Sequence, residues 1–75
     1  MGMNKKFNGK VSYYLGDEYT GMEKGRHQWI KDNIDESQYI IHSDGFLINE
    51  YYVEFKNTQD EALYVFTWEI PEDNT

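Results

Sequence analysis

Residues 50–70, "EYYVEFKNTQDEALYVFTWEI", decide the fold. In the first part Tyr51, Val53 and Phe55 alternate with Tyr52, Glu54 and Lys56, the period of two expected of a half-buried strand. "NTQDE" reads as a turn. Beyond it Tyr64, Phe66, Trp68 and Ile70 alternate with Leu63, Val65, Thr67 and Glu69, which predicts a further strand.

Upstream, "SQYIIHSDGFLINEYYVEFK" predicts a strand, a turn at Ser43-Asp44-Gly45, and a second strand from Phe46 through Lys56. "KVSYYLG", residues 10–16, sets Val11, Tyr13 and Leu15 against Ser12 and Tyr14, again as a strand. Asn8-Gly9 before it predicts a two-residue turn that closes a small hairpin with "NKKF". Only "TGMEKGRHQWIKDNIDES" has a helical period, with Met22, Trp29, Ile30 and Ile34 on one stripe and Thr20 and Glu23 at capping-box spacing. Gly21 and Gly25 each cost about 1 kcal/mol relative to alanine in a helix, so the predicted helix runs from about Gly25 to Asp35.

These elements predict an α+β fold: a small antiparallel β-sheet of three to four strands, in β-α-β-β-β order, with one α-helix packed on one face. Its core would hold Tyr51, Val53, Phe55, Tyr64, Phe66, Trp68 and Ile70 from the sheet against Trp29, Ile30 and Ile34 from the helix. Glu54, Lys56 and Glu69 would guard the sheet against pairing with other chains. The chain reads as a single domain, residues 1–75, with 1–6 and 71–75 as frayed tails.

A 75-residue domain buries only about 60% of its unfolded surface, so packing has to supply nearly all its stability. The 7 Tyr, 4 Phe and 2 Trp provide it, each able to remove about 150–250 Å² from water. The absence of cysteine removes disulfides, thiolate zinc sites and cysteine nucleophiles together, and fits a reducing compartment. No stretch of about 18 apolar residues and no apolar region behind the N-terminal lysines is present, so the expected location is cytoplasmic.

Charge is the strongest global signal. The net charge is −7, made of +3 over residues 1–31 (six basic, three acidic) and −10 over residues 32–75 (one basic, eleven acidic). Such a field repels phosphate backbones and anionic membranes and favours a basic protein partner. The aromatic strand "EYYVEFKN" loosely echoes an RNA-stacking platform, but Glu50 and Glu54 occupy its flanks, against direct nucleic-acid binding.

Motifs for chemistry are missing. His27 and His42 have no third nitrogen or sulfur ligand in a zinc spacing. "SDGFLINE" fails as a calcium loop, because Ile40 and Tyr51 would stand where carboxylates are required, and is read as a turn. No phosphate-cradling glycine loop and no nucleophile elbow occurs, so neither an enzyme nor a cofactor is expected.

What remains is recognition. The acids Asp32, Asp35, Glu36, Glu50, Glu54, Asp60, Glu61 and Glu69, with Tyr52 as an aromatic anchor, are the candidate contact residues for a basic, nucleic-acid-binding protein. In size and charge, though in no motif, the chain is similar to small acidic DNA-mimic inhibitors of phages and mobile elements. The alternative is a structural or oligomeric accessory module whose aromatic face seals a homodimer.

Overall fold

The computed structural model describes residues 4–18, 21, 22 and 24–69. Along the chain run β1 (Lys5–Phe7), β2 (Lys10–Asp17), β3 (Gly21–Met22), α1 (Lys24–Asn33), a 3-10 turn (Glu36–Gln38), β4 (Tyr39–Asp44), β5 (Glu50–Phe55) and α2 (Thr58–Tyr64), which widens into a π-helical turn (Val65–Glu69). The fold is α+β. Its antiparallel sheet has the order β1-β2-β5-β4, and the two-residue β3 also pairs with β2.

Two-residue turn chemistry starts the sheet: Asn8 and Gly9 take φ of 55° and 82°, the positive pair a type I′ hairpin needs. Lys5 and Lys6, expected both as the hairpin arm and within the tail 1–6, form β1 with Phe7, and Asn4 Oδ1 before them accepts the Tyr14 amide at 3.0 Å. The expected tail 71–75, the Thr20–Glu23 cap and Ile70 lie outside the described residues. Met22, assigned to the helical stripe, is in β3.

The C-terminal element corrects the sequence reading. Residues 58–69 are helical, and the element order is β-β-β-α-β-β-α rather than β-α-β-β-β. The physical reason stands at its start. Asn57 Oδ1 accepts the Asp60 amide at 2.8 Å and Asn57 Nδ2 donates to Asp60 Oδ2 at 2.7 Å. This is a reciprocal N-terminal cap, and Asp60 and Glu61 in the first turn suit the helix dipole. A helical turn then places Tyr64, Val65 and Trp68 inward. Phe66, expected in the core, is 74% exposed.

The core lies between one sheet face and the two helices. Tyr13, Leu15, Val53 and Phe55 from the sheet meet Ile30 of α1, Ile34 just past its end and Tyr64 of α2, with Trp29, Tyr51 and Trp68 packed around them. Tyr64 is at its centre, with ring centroids 5.1 Å from Phe55, 5.4 Å from Tyr13 and 6.1 Å from Trp29. Arg26 donates to the Tyr64 hydroxyl at 3.0 Å, to the Trp68 carbonyl at 3.1 Å and to Glu69, locking α1 to α2. Burial opposes the Arg26 charge, but the hydrogen bonds to Tyr64 and Glu69 outweigh it and hold its pKa above the usual value.

The opposite face is covered too, because the β1–β2 hairpin curls back over it. Phe7 stacks on His42 with centroids 4.2 Å apart and leans on Tyr52 at 5.6 Å. Lys5 Nζ lies 5.4 Å over the Tyr52 ring and pairs with Asp44 at 2.7 Å.

Candidate protein-interaction site

β4 and β5 are joined by the five residues Gly45 to Asn49, and the tip exposes two large apolar side chains: Phe46 is 98% and Leu47 85% exposed. The backbone around them is fixed. Gly45 has φ of 155°, and a Cβ there would lie 1.8 Å from the Ile48 carbonyl oxygen, so the chain closes this tightly only with glycine. Glu18 and Asn49 clamp the base: the Glu18 amide donates to the Asn49 carbonyl at 2.8 Å and the Asn49 amide to Glu18 Oε1 at 3.0 Å.

Carboxylates ring that base. The register sets Asp44 opposite Glu50 on β4 and β5, and Asp17 opposite Glu50 on β2 and β5, with Glu18 following β2. Lys5 pairs with Asp44, and its hydrogen bond holds the Asp44 carboxyl below the usual carboxylate range. Glu50 accepts the Tyr52 hydroxyl at 2.9 Å; burial, then that bond, pushes the Tyr52 phenol up. An apolar knob in an acidic collar is the result, and its anchors, Phe46 and Leu47, are residues the sequence reading placed at the start of a strand.

The nine residues expected to contact a partner do not share one surface. Asp32 lies on α1 and accepts Gln28 Nε2 at 2.9 Å. Asp35 caps the 3-10 turn through the Ser37 amide at 3.0 Å and the Ser37 hydroxyl, which lowers its pKa, and Glu36 is exposed beside it. Asp60 is committed to the Asn57 cap, Glu69 to Arg26 and to Asn4 Nδ2 at 3.2 Å. Glu61 accepts the Tyr13 hydroxyl at 2.5 Å; burial first, then this bond, raises the Tyr13 pKa.

On the hairpin-covered face, Glu54 is 8% exposed and meets His42 Nε2 at 2.8 Å. Tyr52, expected among exposed charges, is 1% exposed and presents no ring to a partner; β1 covers it. Of the nine, only Glu50 belongs to the collar.

Among the described residues no group of three or more His, Cys, Asp or Glu converges to hold a metal ion, and no helix is long and apolar enough to cross a membrane. No family model, curated protein or solved structure matches the chain.

Proposed function

We propose that the protein is a non-enzymatic binding module that docks the Phe46–Leu47 knob into an apolar pocket of a partner protein whose rim is basic. The observation that carries this reading is the near-complete exposure of Phe46 (98%) and Leu47 (85%) on a loop clamped at its base. Burying two such side chains is worth about 1.5–3 kcal/mol each, and a preformed loop loses little of that to ordering. Together they supply two to four decades of affinity at about 1.4 kcal/mol per decade. The collar of Asp17, Glu18, Asp44 and Glu50 adds on-rate and selectivity for cationic surfaces.

A nucleic-acid-handling protein fits this chemistry, with the collar carboxylates standing where phosphates would bind, as in DNA mimicry. The test is affinity capture from a bacterial lysate at about 50 mM salt, where exposed charges are weakly screened, with wild type and the Phe46→Ser/Leu47→Ser variant side by side. Capture of one basic protein by wild type, its loss with the knob variant, and its displacement by DNA support the reading in full. Equal capture by both proteins overturns the knob as the contact. Knob-dependent capture that DNA leaves unchanged retains the module and removes the mimicry.

A further inference from the structure

We infer that the chain also self-associates head to tail, the Phe46–Leu47 knob of one copy entering a cleft at the far end of β5 in the next. This rests on the reading of the knob as a docking element and names a second occupant for it.

The cleft forms where β2 and β5 part. Their pairing runs from Asp17↔Glu50 to Tyr13↔Val53 and goes no further, although both strands continue. Between the diverging ends lies a cavity of about 290 Å³ lined by Lys10, Val11, Phe55, Lys56, Asn57, Thr58 and Glu61. An enclosed apolar cavity of about 150 Å³ holds a benzene ring, so this more open cleft has the volume to admit an aromatic side chain. Val11, 38% exposed, and Phe55, 6% exposed, are its apolar lining, beside five polar or charged residues.

Its electrostatics are the reverse of the knob's. Lys10 and Lys56 stand at the cleft, and Lys6 is the cross-strand partner of Val11. Among the described residues these three lysines make no ion pair, whereas Lys5 and Arg26 do. The one lining carboxylate, Glu61, is occupied by Tyr13. An apolar knob with an acidic collar and a cleft of mixed lining with a basic rim thus stand at opposite ends of one six-residue strand, about 20 Å apart at 3.3 Å per residue.

Surfaces that differ and lie at opposite ends make a heterologous contact, which grows into a ring or an open chain and does not stop at a two-fold dimer. Two copies of net charge −7 repel as wholes. At 0.15 M salt the screening length is about 8 Å, shorter than the smallest 24 Å dimension of the molecule, so distant charges fade while collar and rim meet at contact.

Sedimentation of the full chain at about 0.15 M salt tests this, using wild type, the knob variant Phe46→Ser/Leu47→Ser and the cleft variant Lys10→Glu/Lys56→Glu. All substituted side chains are exposed, and circular dichroism verifies that each variant is folded. Wild-type mass should rise with concentration beyond a dimer, and each variant alone should associate at least tenfold more weakly. Mixed, the two variants should associate again and stop at a dimer, since that pair has one working knob and one working cleft. A wild type that stays monomeric, or a dimer that survives both variants, overturns the proposal. Capture of a foreign partner is read separately: the cleft variant should retain it, so self-association can fail while the binding module stands.

Discussion

Glu18 and Asn49 hold each other twice, backbone to backbone at 2.8 Å and Asn49 amide to Glu18 carboxylate at 3.0 Å. That pair joins the end of β2 to the loop that displays Phe46 and Leu47, so Glu18 acts both as a clamp and as a collar charge. Two substitutions separate the roles. Glu18→Gln keeps an acceptor for the Asn49 amide and should weaken partner capture only at low salt, where exposed charge matters. Glu18→Ala loses the acceptor as well; hydrogen exchange at Asn49 should accelerate, and capture should weaken at all salt concentrations.

The knob itself should be neutral for folding. Exposed side chains contribute within about 0.5 kcal/mol, so Phe46→Ser/Leu47→Ser should unfold in urea with the midpoint of wild type. Tyr64→Ala, by contrast, empties the centre of the core and removes one acceptor of Arg26. It should cost about 3–5 kcal/mol, enough to unfold a domain of this size. An equal shift for both variants would show that the loop is part of the core.

Residue patterns made the sheet and α1 legible: the alternation around Tyr13, Val53 and Phe55 and the Trp29–Ile30–Ile34 stripe match observed elements. They could not settle residues 58–69. Tyr64, Phe66 and Trp68 fit a period of two, while Tyr64, Val65 and Trp68 fit a helix. What decides is the Asn57–Asp60 cap, a polar signal inside a segment read as a turn. Burial of Tyr52 was illegible for another reason, since it depends on Lys5 and Phe7 of β1 folding across the sheet face, a long-range event that no local window contains. Phe46 and Leu47 were hidden by their own hydrophobicity, which made them look like the start of β5.

The same geometry changes how charge reversal must be used. Reversing Glu50, Glu54 and Glu69 together, the obvious probe from sequence, would strike Glu54 beside His42 and Glu69 beside Arg26. Loss of binding would then report misfolding. Removing one partner of a half-buried pair strands the other, at about 1–3 kcal/mol. Glu69→Lys should therefore lower the urea midpoint, and Asp32→Lys, at an exposed site on α1, should leave it unchanged.

Alkaline pH probes the tyrosine network. Burial first, and then neighbouring carboxylates, raise the pKa of Tyr13, Tyr39 and Tyr52 above 10.0. Below that value both folded and unfolded chains keep these phenols protonated, and the stabilisation is complete. Above it the unfolded chain releases protons first, so stability falls as pH rises toward the folded values. Urea midpoints should decline from about pH 10 upward. Tyr13→Phe should start lower, having stranded Glu61, and should decline less steeply.

Gly45→Ala isolates the shape of the loop from its chemistry. Phe46, Leu47 and every collar carboxylate remain, but the new Cβ would stand 1.8 Å from the Ile48 carbonyl oxygen. That contact cannot be relieved by a rotamer, because both atoms belong to the backbone frame. The loop must open, at a cost of more than about 1 kcal/mol for alanine at a positive φ. Global unfolding should shift by about that amount, which leaves the sheet folded, while the Glu18–Asn49 clamp loosens and Asn49 exchanges faster. If a preformed knob is what binds, capture should fall nearly as far as in Phe46→Ser/Leu47→Ser. Capture at the wild-type level by a folded Gly45→Ala protein would mean that the two side chains suffice without the frame, and the affinity assigned to preorganisation would have to come from the collar.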